Sequence, residues 1–192
     1  MRHAKSDWDA DHERPLNHRG YRSARLMGRL IAGLEMTPDH VISSTAVRAR
    51  TTASLAAEAG GWNVHIALER RLHGASPGTV LEIVSDAPEE DRLMIVGHQP
   101  TSGMLVNRLT GAVADIKTAS VAVVEFMIDD WREVGAVQGV LTSLYHPRPF
   151  FGSQWNLDCG FYTLFVIEDG FYWRDPDGYH PDAHEHEWRF HP

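Results

Sequence analysis

Leu93-Met94-Ile95-Val96, followed at once by Gly97-His98-Gln99-Pro100, is the stretch on which the reading of this chain turns. Four apolar residues in a row make a strand-length run without polar alternation, as in a parallel strand covered on both faces. Gly97 and Pro100 then end the run, and a histidine stands at its end. Residues 104–109 continue in a helical pattern, and residues 79–85 upstream read as a short helix.

Working outward, Val41-Ile42 is a second short buried strand that ends at Ser43-Ser44, with a helix over 46–59 stopped by Gly60-Gly61. Val64 to Leu68 alternates like a strand. Tyr21, Ala24, Met27, Leu30, Ile31 and Leu34 recur at a helical period, which predicts a helix over 20–34 closed by Thr37-Pro38. Ser120 to Ile128 and Val134 to Thr142 read as two strands joined by a turn around Asp129-Asp130-Trp131. Residues 4–18 are polar and read as a loop, as does Gly74 to Gly78. Strands alternating with helices imply an α/β fold whose mostly parallel sheet is covered by helices. Ligands bind such sheets at the carboxyl ends of the strands. His98 and the Ser43-Ser44 end with Arg48 both fall there.

Composition narrows the function. A net charge of −8 argues against nucleic acid bound through a broad basic surface, yet leaves room for a local nest of arginines around a small anion. One cysteine, Cys159, excludes an internal disulfide framework and fits a reducing compartment. The opening residues are polar and charged, and no apolar run reaches membrane-spanning length, so a cytoplasmic protein without a membrane partner is expected.

After Thr142 the composition changes. Residues 143–192 hold most of the aromatic residues, and eight acidic side chains there face three basic ones. Two domains are therefore expected, a main one over 1–142 and a C-terminal aromatic and acidic extension over 143–192. Within the extension, residues 163–173 read as a hairpin around Glu168-Asp169-Gly170, and the segment after 175 is too polar to fold alone. His180, His184, His186 and His191 stand among acidic residues there, but their spacing matches no specific metal site, and no metal is assigned.

The chain opens Met1-Arg2-His3-Ala4-Lys5-Ser6. A terminal histidine beside an arginine is ordinarily solvated and inert, and a histidine after an apolar strand is ordinarily packed. The pair gains meaning beside Arg48, which opens a helix directly after a strand. A guanidinium offers phosphate a planar fork of donors, and a helix N-terminus adds free N–H groups and the positive end of its dipole. Arg50 rivals Arg48 for that place, but two positions along a helix point different ways.

Arg2-His3-Ala4, Ser44 to Ala53 with Arg48-Ala49, and Gly97-His98-Gln99-Pro100 together resemble the histidine phosphatase superfamily, also called phosphoglycerate mutase-like. With Lys5-Ser6, Arg14-Pro15-Leu16 and Arg19-Gly20 the likeness is to its small SixA-type branch of phosphohistidine phosphatases. The resemblance covers about residues 1–142. It implies a three-layer α/β sandwich, helices on both faces, and a site that needs no metal or other cofactor. His3 matches the nucleophile that becomes phosphorylated. Arg2, Arg14 and Arg48 match the phosphate pocket, and His98 matches the second histidine, more useful protonated, that stabilises the transferring group. The implied substrate is a phosphoamidate such as protein phosphohistidine. A small phosphate ester, and a phosphate-binding or interaction module without turnover, are the alternatives. Relatives acting on esters carry a carboxylate acid. Glu69 is the candidate here, although it can equally pair with Arg70 or Arg71.

The resemblance also exposes a gap. In the family, Arg-His follows a central first strand, whereas here only Met1 precedes Arg2. A strand usually needs about five residues, so the first strand is expected to be truncated. Two explanations are open: a natural start upstream of Met1, which is the one expected, or a tail segment such as Thr163 to Ile167 in the vacant place.

Overall fold

The computed structural model describes residues 1–6 and 12–147. In chain order its elements are α1 (His18–Gly33), β1 (His40–Ser44), α2 (Val47–Gly60), β2 (His65–Glu69), α3 (Pro77–Ser85), β3 (Leu93–Val96), α4 (Thr101–Thr110), β4 (Val121–Glu125) and β5 (Val140–Tyr145). Single 3₁₀ turns lie at Arg70–Leu72 and Trp131–Glu133. Local chemistry sets the helix starts. The Asn17 side chain accepts from the Gly20 N–H at 3.0 Å to cap α1, and Ser76 caps α3 ahead of Pro77.

The sheet is built as expected, parallel in the order β2-β1-β3, with Ile42 opposite both Ala67 and Ile95. Side chains alternate across it. Ile42, Ala67 and Ile95 join Val80, Leu81, Ile83 and Val84 of α3 on one face. On the other face α2 lies against β1 and β3, and α1 packs on α2. There Met27, Leu30 and Ile31 are almost wholly buried, each contributing roughly 1.5–3 kcal/mol by leaving water. Close approach of the two helices requires Gly28, where a Cβ would collide with the Ala56 backbone.

β4 and β5 form a separate antiparallel pair. The second of these differs from its expected span of 134–142. Residues 134–139 belong to the connection behind the 3₁₀ turn, and β5 runs from Val140 to Tyr145, three residues past 142. Two glycines, Gly135 and Gly139, dilute any strand preference in the connection, and pairing with β4 fixes the strand instead. The expected hairpin over 163–173 and the polar end after 175 lie outside the described residues.

Met1 to His3 links the two sheets. The Met1 nitrogen donates to the Ile95 carbonyl at 2.6 Å, Gly97 N–H to the Met1 carbonyl at 3.1 Å, and His3 N–H to the Gly97 carbonyl at 3.0 Å. That is the bonding of a parallel ladder. On the other side Arg2 N–H donates to the Ser120 carbonyl at 3.0 Å. Beyond Met1 the facing edges of β3 and β4 line a cavity of about 830 Å³, together with apolar side chains such as Leu81, Val84 and Leu105. Among the described residues, Met1 to His3 occupy the strand position between β3 and β4. Burial of the terminal amine there lowers its pKa from 8.0 to about 5.

Candidate active site

Although His3 is only the third residue, its backbone is held on several sides. Its N–H reaches Gly97, its carbonyl accepts from the Ala119 N–H at 3.1 Å, and the next N–H, of Ala4, donates to Thr52 Oγ1 at 2.9 Å. Thr52 in turn donates to the Arg48 carbonyl at 2.6 Å, so one hydroxyl ties the chain start to the first turns of α2. At Gly20 a Cβ would strike the Lys5 carbonyl, and its absence lets residues 4–6 lie against the start of α1. The His3 ring is buried, with Nδ1 2.7 Å from the Ala4 carbonyl oxygen. A carbonyl can only accept, so Nδ1 carries the hydrogen and Nε2 presents its lone pair.

Electrostatics keep that lone pair available. Burial above all, against the opposing Ala4 bond and with the charges of Arg48, Arg2 and Arg14 added, lowers the His3 pKa from 6.5 to about 4. All three arginines are near enough to act on His3 through their charge. Arg48 sits in the first turn of α2 at 5% exposure, whereas Arg50 is exposed. Arg2 donates from Nη1 to the Ile116 carbonyl at 2.9 Å, and Gln99 donates to the same carbonyl at 2.8 Å. His98 follows β3, with its ring centroid 5.1 Å from that of His3. Its Nε2 lies 3.0 Å from Ser44 Oγ at the end of β1. His3, His98, Arg2, Arg14 and Arg48 therefore converge on one place at the carboxyl ends of the strands.

Glu69 ends β2 opposite Ser44 and is engaged by Arg71. Its carboxylate caps the 3₁₀ turn by accepting from Arg71 N–H at 2.8 Å and from the Arg71 guanidinium at 3.0 Å, which holds its pKa below the usual value. Three contributors escaped sequence reasoning. Thr52 and Ser44 lay inside a recognised motif, but their partners are set by tertiary contacts. His73 sits 5.3 Å from His98, edge-on at 89°, and lies in none of the motifs that marked the site. A histidine directly before Gly74, in the loop leaving β2, was its one signal.

A profile of the histidine phosphatase superfamily (branch 1) matches residues 1–80. The uncharacterised protein MT1313 of Mycobacterium tuberculosis is 34% identical over 163 residues, spanning 77% of this chain and 100% of its own length. Two solved structures named for the phosphohistidine phosphatase SixA superpose on the fold. The one from Nakamurella multipartitia has a TM-score of 0.70 at 26% identity, covering 77% of this chain and 93% of its own. The one from Agrobacterium tumefaciens has 0.67 at 26%, covering 77% and 95%.

This chain belongs to the histidine phosphatase superfamily.

Within it the likeness is to the SixA-type branch, and the protein is a phosphatase. Among the described residues of this histidine phosphatase, no group of three His, Cys, Asp or Glu is placed to hold a metal ion. Nor is any described helix long and apolar enough to cross a membrane. The histidines after residue 179 lie outside the described residues.

Proposed function

We propose that this phosphatase hydrolyses a phosphoamidate, protein phosphohistidine, through a covalent phosphohistidine on His3. The observation that carries the reading is the His3 ring: neutral near pH 7, fixed in the tautomer that frees Nε2, and ringed by three guanidiniums. Phosphoryl transfer demands positioning and neutralisation of charge on the equatorial oxygens more than covalent assistance. Arg2, Arg14 and Arg48 supply the charge around the buried His3. His98, oriented by Ser44, faces the transferring group beside His3.

In the first step Nε2 attacks phosphorus and the P–N bond to the leaving imidazole breaks. Water then attacks the phosphorus of phospho-His3, releasing phosphate and restoring the neutral ring, so one hard step becomes two easier ones. A phosphoamidate suits a site where Glu69 is committed to Arg71, because its leaving nitrogen can carry a proton before it departs. The protein partner on this reading is a phosphohistidine-bearing protein. Parallel assays on a phosphohistidine peptide and on nitrophenyl phosphate test it. Turnover of the peptide, abolished by His3→Ala, is the expected result. Turnover of the ester alone would overturn the substrate, and turnover of neither with phosphate still bound would leave a binding module.

A further inference from the structure

Four imidazoles run in contact from the buried site toward solvent. The His3 and His98 centroids are 5.1 Å apart, His98 and His73 5.3 Å, and His73 and His12 5.2 Å. The first two carry the chemistry proposed above, which leaves the outer two unexplained. His73 lies in the loop between β2 and α3, half-buried, at the carboxyl end of the sheet where the leaving group must exit. Its position is built rather than incidental. The 3₁₀ turn precedes it, its N–H donates to the Arg70 carbonyl at 3.1 Å, and Gly74 turns the chain at φ 72°. Thr101 then anchors the loop to the start of α4 through the Ala75 carbonyl at 2.5 Å. Behind His73, the His12 ring spans Glu13 Oε1 at 2.9 Å and Thr45 Oγ1 at 3.1 Å, a chain of polar groups reaching solvent.

We propose that His73 is the proton donor to the leaving group, and that it opens this site to unactivated alkyl phosphate monoesters as well as phosphoamidates. The inference rests on His3 as nucleophile. In the first step Nε2 of His3 bonds to phosphorus, the P–O bond breaks with its electron pair on oxygen, and the proton on the His73 imidazolium moves to that oxygen. In the second step neutral His73 takes a proton from water as the water oxygen bonds to phosphorus. The P–Nε2 bond breaks with its electron pair returning to His3, and the cycle closes with no net proton gained. An imidazole can give a proton in one step and take one in the next. The carboxylate that the loop might have offered, Glu69, is held by Arg71 instead.

The test separates leaving groups. Full-length protein carrying His73→Phe or His73→Gln is assayed on nitrophenyl phosphate, whose phenolate departs without protonation, and on glycerol phosphate, whose alkoxide does not. A loss of about 10²-fold or more in kcat/KM on the alkyl ester, with kcat/KM on the nitrophenyl ester within about threefold, is the expected result, because kcat/KM follows the phosphorylation step and not the water attack that both substrates share. Partial recovery on the alkyl ester by His73→Glu would add support, since it restores an acid and not a ring. Equal losses on both substrates would show a structural role and overturn the proposal. So would unchanged rates, or a wild-type protein inert on the alkyl ester. The His3 reading is judged separately, by acid-labile label on the wild-type protein with nitrophenyl phosphate.

Discussion

His3 takes up its proton at about pH 4 in the folded chain and at 6.5 in an ordinary peptide. Between those values the unfolded chain binds the proton and the folded chain does not, so stability rises with pH there. The contribution is complete above 6.5 and is lost as the pH falls to about 4, on the order of 3 kcal/mol. Replacing His3 with Ala is expected to remove this window and flatten the stability curve between pH 6.5 and 4. Denaturant unfolding of both proteins across that range measures it, and parallel curves would contradict the neutral, buried assignment. The Met1 amine acts over its own range, from 8 down to about 5, and is present in both proteins.

At the scale of elements, the catalytic geometry depends on how the chain start is clamped between β3, α2 and the Ser120 turn. Thr52→Val keeps the shape of the side chain but deprives the buried Ala4 N–H of its acceptor and breaks the tie to the Arg48 carbonyl. A cost of about 1–3 kcal/mol is expected. Turnover should fall by more than phosphate affinity does, because the reacting geometry loosens; thermal melts with single-turnover and binding assays check both parts. Equal falls in turnover and affinity would count against the clamp. The cavity between β3 and β4 gives a second prediction. A five-residue stretch of β-branched residues fused ahead of Met1 would continue the ladder already begun by the Met1 and His3 nitrogens. It would also replace the buried amine by an amide. Melting is expected several degrees higher, and an unchanged melt would show that the cavity does not accept a strand.

This scale also shows what the sequence could reveal. Leu93 to Val96 was legible as a strand because burial on both faces leaves only apolar residues, and α1 because its apolar residues keep a helical period. β5 was misplaced because pairing, not composition, decides where it starts. Arg48 could be preferred to Arg50 through motif position, and the fold separates them by burial. The tie of Glu69 to Arg71 was one of two open readings, because only the folded loop brings carboxylate and guanidinium together. His73 had no helical or strand period to mark it. Its proximity to His98 arises from two loops far apart in sequence.

For the whole molecule, the net charge of −8 and the positive site make opposite demands on an anion. Three arginines buried or half-buried at one point dominate at short range, while the acidic surface is screened beyond about 10 Å in ordinary salt. Phosphate or vanadate should therefore raise the melting temperature, by an increment growing with the logarithm of ligand concentration above its Kd. Arg48→Ala should abolish that increment. A chelator should leave turnover unchanged, since guanidiniums provide the neutralising charge; lost activity restored by a divalent metal would contradict this. The central claim is the bond between His3 and phosphorus. It is tested most directly by quenching the intact protein during turnover of labelled substrate and mapping the label. The account predicts an acid-labile, alkali-stable phosphate on the peptide containing His3, absent from His3→Ala. Label on another residue, or undiminished turnover by His3→Ala, would contradict it.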